Sequence, residues 1–302
     1  MSEFGRPMVS VIVPAYDEAA VIGDCLDALV DQTYPDERYE VIVVDNGSRD
    51  DTASVVRDYP VTLAQTDRSE SQYAARNTGL DRASGEVLAF TDADVTVAND
   101  WVEHGVRALA AVQGPAVVYG RVVPDVSAAP NRYVTYDILR AFDSDLHKTW
   151  NLFTTRAVFE EVGRFSPGLV SGGDVEWSER VRASEVPIRT DDRVRASHPP
   201  RRSLGALWGK SVRQGFGSGQ RMRLVYDERT LTLVAKEPLR LLDWYARLAR
   251  DVAADSPWLE TTWRDRVATA LLAVPLSVAM ASGRLRGILD GPGGDRMVGD
   301  HA

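Results

Sequence analysis

The sequence predicts an α/β protein built on a mostly parallel central sheet flanked by helices, with a helical C-terminal extension. Three observations predict it. Val9 to Val13 and Val41 to Val44 are short, continuous, β-branched apolar runs, each emptying into a polar loop and then a helical pattern. Successive strand–loop–helix units of this kind imply a parallel sheet with right-handed crossovers. A further apolar run, Val87-Leu88-Ala89-Phe90, stops abruptly at Thr91-Asp92-Ala93-Asp94. Finally, 302 residues at 44% hydrophobic and 26% charged are enough for a core of normal size.

In order, the strand Val9 to Val13 ends at Pro14 and opens into Ala15-Tyr16-Asp17-Glu18, and a helix follows to about Asp31. Tyr39 to Val44 runs into Asp45-Asn46-Gly47-Ser48 and then a helix from Thr52. Val61 to Ala64 is expected as a third strand and Gln72 to Ala83 as a helix carrying Arg76 and Asn77, before the strand Glu86 to Phe90. A helix over Asp100 to Ala111 and a strand over Ala116 to Tyr119 come next. From Pro124 to Thr149 the pattern weakens, with Tyr133, Ile138, Leu139 and Phe142 suggesting a helix. Asn151 to Thr155 is a strand and Arg156 to Val162 a helix; turn-rich Gly163 to Gly173 leads to Asp174 and another helix, and Arg193 to Ser197 is a last strand ending at His198.

Residues two apart on a strand face the same way, so Asp92 and Asp94 could share one ion, and paired carboxylates are hard oxygen ligands suited to Mg²⁺ or Mn²⁺. Aspartate is also a common turn residue, so the tripeptide alone fits a strand-to-turn boundary as well. Its surroundings favour a site. Ligands of open α/β sheets bind outside the carboxyl ends of the strands, and Asp17, Asp45 and Asp92 to Asp94 all fall on that edge. Neither GxGxxG nor GxxxxGK[ST] lies in these turns.

VSVIVPAYDE (Val9 to Glu18), VIVVDNGSRDDT (Val41 to Thr52), AARNTGLDRASGEVLAFTDAD (Ala74 to Asp94) and GGDVEWSERVR (Gly172 to Arg182) resemble, in order, the signatures of family 2 glycosyltransferases. The resemblance implies a GT-A fold, a nucleotide-diphosphate sugar donor, a divalent metal and inversion at the anomeric carbon. Carried over, it puts Pro14, Tyr16 and Glu18 around the base and Asp45 on the base edge, where a carboxylate can accept the ring N–H of uracil. Arg76 is then expected on the ribose or diphosphate, Asp92 on the ribose and metal shell, Asp94 on the metal, and Asp174 as the general base. His198 is a further metal ligand in some relatives, and neutral imidazole suits Mn²⁺ better than Mg²⁺. Gly173 before the base and Trp177 after it are expected at the acceptor, Trp177 lining the pocket or packing under it. Two departures stand out: Asp17 replaces the usual Asn, and Gly173 replaces the acidic residue that usually precedes the base.

The formal charge of −9 argues against a general nucleic-acid binder. One stretch runs against it: Arg201, Arg202, Lys210, Arg213, Arg221 and Arg223 have no acidic residue among them. They suit a solvated face, a cover for the diphosphate made movable by Gly215, Gly217 and Gly219, or a phospholipid surface. Gln220-Arg221-Met222-Arg223-Leu224 lacks the tryptophan of the QxxRW of processive synthases, which favours single addition. Cys25, the lone cysteine, is expected as a buried inert thiol, and the N-terminal stretch shows no secretion signal.

The expected division is a catalytic domain over 1–225 (nucleotide half about 9–120, acceptor half about 121–225), a helical extension over 226–290 and a disordered tail over 291–302. In the extension, Leu239, Leu241, Leu242, Trp244, Tyr245, Leu248 and Trp258 precede 17 uncharged residues between Arg266 and Arg284, broken by Pro275. A spanning helix needs about 20, so packing on the catalytic domain or peripheral membrane contact is expected instead. The enzyme would then work in the cytoplasm, at the inner face of the membrane, on a sugar, lipid-linked or small-molecule acceptor. His147, Lys148 and Trp150 are candidates for touching it. Asp92-Ala93-Asp94-Val95-Thr96 also fits the DxDx[TV] pattern of haloacid-dehalogenase-like phosphatases, with Asp92 as nucleophile. A non-catalytic nucleotide-sugar-binding protein is the third reading.

Overall fold

The computed structural model describes residues 6–66, 71–127, 130–142, 148–225 and 259–292. The elements in chain order are β1 (Val9–Ala15), α1 (Ile22–Val30), β2 (Tyr39–Asp45), α2 (Thr52–Arg57), β3 (Thr62–Gln65), α3 (Gln72–Arg82), β4 (Val87–Thr91), β5 (Thr96–Val97), α4 (Trp101–Ala110) and β6 (Val117–Pro124). There follow α5 (Arg132–Ala141), β7 (Asn151–Thr155), α6 (Arg156–Val162), α7 (Gly173–Ala183), β8 (Ile188–His198), α8 (Leu204–Val225) and α9 (Trp263–Asp290). The extension from Leu239 to Trp258, the candidate His147 and most of the tail, 293–302, lie outside the described residues.

The chain forms two compact, sequence-interleaved units: 1–123, 146–167 and 174–198 in one, 124–145, 168–173 and 199–302 in the other. The first is built on an eight-stranded sheet of order β3-β2-β1-β4-β7-β6-β8-β5. β1 pairs in parallel with β2 and β4, and β2 with β3. The β-branched residues that predicted these strands are fully buried, among them Val11, Ile12, Val13, Ile42, Val43 and Val44 at 0% exposure. Such strands are covered on both faces, which is why their apolar runs are unbroken.

Beyond β4 the sheet turns antiparallel, with β4 against β7, β7 against β6 and β5 against β8. The sheet is therefore mixed. A continuous apolar run records burial but not direction, which the connections set. Asn151 is buried at 1%. Its amide donates to the carbonyls of Arg121 and Val194 and accepts the indole N–H of Trp101, tying three strands and α4 together.

In the second unit α9 lies against α8 with backbone meeting backbone. A Cβ on Gly215 would come within 2.0 Å of the Met280 carbonyl oxygen, and one on Gly287 within 2.0 Å of that of Phe216. On Gly217 it would meet the Ser171 carbonyl at 2.1 Å. Gly215 and Gly217 are close-packing points inside a 22-residue helix, not the hinges of a moving cover. α9 also runs unbroken through Pro275 for 28 residues; the ring removes one intrahelical bond, and the packed glycine face keeps the helix in place.

Candidate active site

The first loop is a built structure. Asp17 has φ 54, a left-handed backbone that Asp and Asn tolerate better than most residues. Its N–H donates to Ser48 Oγ at 3.0 Å and its Oδ1 accepts the Arg49 N–H at 2.7 Å. Glu18 N–H donates to Thr52 Oγ1 at 2.8 Å and Ala19 N–H to Asp50 Oδ2 at 3.0 Å. Turn and cap chemistry thus locks the loops after β1 and β2 into one shelf. Pro14 and Tyr16 are half-buried along it.

Asp45 closes β2 at 2% exposure. Its Oδ1 accepts the Ser48 N–H at 3.0 Å and its Oδ2 the Gln65 amide at 3.2 Å. Each carboxylate oxygen has a second lone pair, so these bonds orient the group without exhausting it.

At the mouth of β4 the two aspartates part company. Asp92 Oδ1 bonds Arg76 Nη2 at 2.5 Å. Burial pushes the Asp92 carboxyl above its ordinary range, with Asp94 adding to the rise and Arg76 opposing it. Arg76 is itself only 1% exposed, and its Nε and Nη1 are buried donors with no partner among the described residues. Asn77, by contrast, is structural: its amide clamps the Phe165 backbone, donating to the carbonyl at 2.9 Å and accepting the N–H at 3.2 Å.

Asp94 turns the other way, its Oδ2 3.3 Å from His198 Nε2. The β5–β8 ladder makes this meeting: Thr96 pairs with Ser197, so the next rung sets His198 beside the turn that follows β4. Trp150 packs on the imidazole at 4.9 Å, and Lys148 lies over the Trp150 ring at 4.4 Å. Among the described residues no three His, Cys, Asp or Glu side chains are gathered as a complete metal cage. One carboxylate and one imidazole side by side nonetheless fit a divalent ion whose remaining ligands are substrate phosphate oxygens and water, the usual habit of Mg²⁺ and of Mn²⁺ at such sites.

Asp174 is the second residue of α7, where a helix N-terminus favours negative charge. Gly172, at φ 80, makes the turn into that helix, and Gly173 is its first residue. Asp174 Oδ1 accepts the Tyr73 hydroxyl at 3.2 Å and the Val175 N–H at 3.0 Å. Trp177 is 0% exposed, stacked on Phe159 at 4.8 Å and donating to the Gly163 carbonyl at 3.0 Å; it packs under the site. Glu176 and Arg180 form an i,i+4 pair at 2.6 Å. Cys25 is buried at 1%, and burial drives its thiol far above the ordinary range, so it is inert. Tyr73 was not legible as a site residue; the signal was its place one turn before Arg76 on the same helix.

The family model described as glycosyl transferase family 2 matches residues 10–165. Glycosyltransferase AglE of Haloferax volcanii is 38% identical over 226 residues, an alignment covering 71% of this chain and 74% of AglE. The mannosyltransferase PcManGT from Pyrobaculum calidifontis, solved in complex with GDP-Man and Mn²⁺, is 25% identical with a TM-score of 0.63, covering 93% of this chain and 88% of that one. S. aureus TarS, solved in complex with UDP-GlcNAc, shares the fold at 16% identity and a TM-score of 0.54, over 92% of this chain and 89% of that one.

Proposed function

The chain belongs to glycosyl transferase family 2 and is a glycosyltransferase of GT-A-like fold, and we propose that it moves one sugar, with inversion, from a nucleotide diphosphate, UDP in our reading, to an acceptor hydroxyl. The observation that carries the donor half is Arg76, a buried guanidinium with two donors unpartnered among the described residues. Leaving buried donors unpaired costs about 1–3 kcal/mol each, and a diphosphate or ribose oxygen would satisfy them. In this reading the shelf of Pro14, Tyr16 and Glu18 receives the base, Asp45 accepts from its edge, and Asp92, turned to Arg76, serves the ribose side.

Asp174 is the general base. As the acceptor oxygen attacks the anomeric carbon from the face opposite the diphosphate, its proton passes to the carboxylate, and the bond from that carbon to the diphosphate oxygen breaks. Asp94 and His198, with Asp92 beside them, would hold a divalent ion, which would supply Lewis-acid stabilisation of the charge on the departing diphosphate. The phosphatase and binding-only readings give way to the family assignment.

A peripheral membrane contact belongs to the same proposal. Trp263, Val267, Leu271, Val274 and Val278 fall at helical spacing along α9 and are 48–70% exposed, and no acidic residue lies between Asp265 and Asp290. α9 is apolar and long enough to cross a membrane by composition alone. Its glycine face is packed on α8, however, so the remaining stripe suits an interfacial position on the cytoplasmic side.

The test is a thermal-shift panel of UDP-, GDP- and other nucleotide sugars with and without Mn²⁺. A ligand at a hundred times its Kd adds about 2.7 kcal/mol. Asp174→Asn is expected to keep that gain and lose transfer, whereas Asp94→Ala loses the Mn²⁺-dependent part. Transfer at the original rate by Asp174→Asn would remove the base assignment.

A further inference from the structure

Arg76 is not alone on α3 in facing the site. One turn earlier, Tyr73 is 2% exposed and reaches Asp174 Oδ1 across 101 residues of chain. The same oxygen takes the Val175 N–H, and among the described residues Oδ2 has no partner. The Tyr73 ring is fixed in turn, by Phe165 at 6.1 Å and by the Arg76 guanidinium at 5.5 Å. The other ionisable neighbours of Asp174 are engaged elsewhere. Tyr119 of β6 bonds Ser178 Oγ at 2.6 Å, Ser178 donates to the Asp174 carbonyl at 2.8 Å, and Glu176 and Arg180 are paired with each other.

We infer that Tyr73 is a positioning residue: its hydroxyl holds Oδ1 of Asp174, so that Oδ2 is the oxygen presented to the acceptor's proton. This rests on Asp174 being the base. It follows that one helix serves both halves of the reaction, Arg76 at the donor and Tyr73 at the base, with the guanidinium lying over the phenol ring between them.

A hydrogen bond to the charged form of a carboxylate favours that form. The test separates turnover from donor KM in variants of Tyr73, with Asp174→Asn as the reference for loss of the base. Tyr73→Phe keeps the ring and removes the donor. It is expected to lower turnover several-fold at unchanged donor KM. A fluorinated Tyr73 ring keeps the donor and should retain turnover. Ser178→Ala removes the partner of the Tyr119 hydroxyl and of the Asp174 carbonyl but leaves the Tyr73 bond in place, and should lower turnover less than Tyr73→Phe does.

Turnover unchanged in Tyr73→Phe, or lowered equally by Ser178→Ala, overturns the inference. Turnover retained in Asp174→Asn overturns instead the base reading on which it rests, and comparing the two variants tells the failures apart.

Discussion

Asp137 of α5 is 1% exposed, and a carboxylate so placed is tolerated only if its charge is met. It accepts Lys210 Nζ at 2.5 Å and the Arg201 N–H at 2.9 Å. Burial alone would raise its carboxyl, but Lys210 and Arg201 outweigh burial and hold it below the usual range. The sign follows. A depressed carboxylate contributes stability that is present above the ordinary pKa of about 3.9 and is lost as pH falls through the lower native value. Asp137→Asn should cost about 3 kcal/mol at neutral pH and flatten the acid side of the stability profile, as urea unfolding at pH 7 and pH 4 would show. Two of the six cations that read as a solvated or phosphate-covering face therefore serve a buried partner. Asp17 is the complementary case. Among the described residues its side chain is used as an acceptor, by the Arg49 N–H, and the amide oxygen of the asparagine usual in the family would do the same work.

At the scale of elements, legibility depended on what each was buried by. β1, β2 and β4 were readable because strands covered on both faces are apolar throughout. β8 was readable only from Arg193 onward; its first half, Ile188 to Asp192, is largely exposed and polar. β5 has two residues, too few to leave a period. α8 was ambiguous because its glycines oppose helix formation by about 1 kcal/mol each relative to alanine; what makes the helix is α9 packed on that glycine face, a partner far along the chain. The two kinds of glycine can be told apart. A Cβ on Gly283 would sit 2.2 Å from the Val212 carbonyl oxygen, whereas one on Gly205 meets nothing within 4 Å. Gly283→Ala should destabilise by about 1–3 kcal/mol and Gly205→Ala should be neutral or stabilise by up to about 1 kcal/mol, measured by denaturant unfolding.

At the scale of the whole molecule, the acidity of −9 would be expected to keep the protein off an anionic surface, so any retention must come from a local feature. The exposed stripe of α9, with Arg266, Arg284 and Arg286 on the same helix, is the proposed one. The intact protein should co-sediment with anionic phospholipid vesicles, and Leu271→Glu with Val278→Glu should reduce this several-fold; failure of the intact protein to bind would dismiss the contact. The proposed site can be listed from the sequence, since the ordered motifs name its residues. Its wiring was not, because the pairings Arg76 with Asp92, Asp94 with His198 and Tyr73 with Asp174 join distant stretches through the sheet.

The two-rung ladder between β5 and β8 carries a consequence for how the enzyme is made. Asp94 belongs to a strand end that can form early in synthesis, but His198 arrives only with the last strand of the sheet. A nascent chain stopped short of residue 198 would own both aspartates and no imidazole to set beside them. Metal affinity, in the proposed arrangement, is thus a late acquisition of the growing chain, and the ion reports a finished first unit.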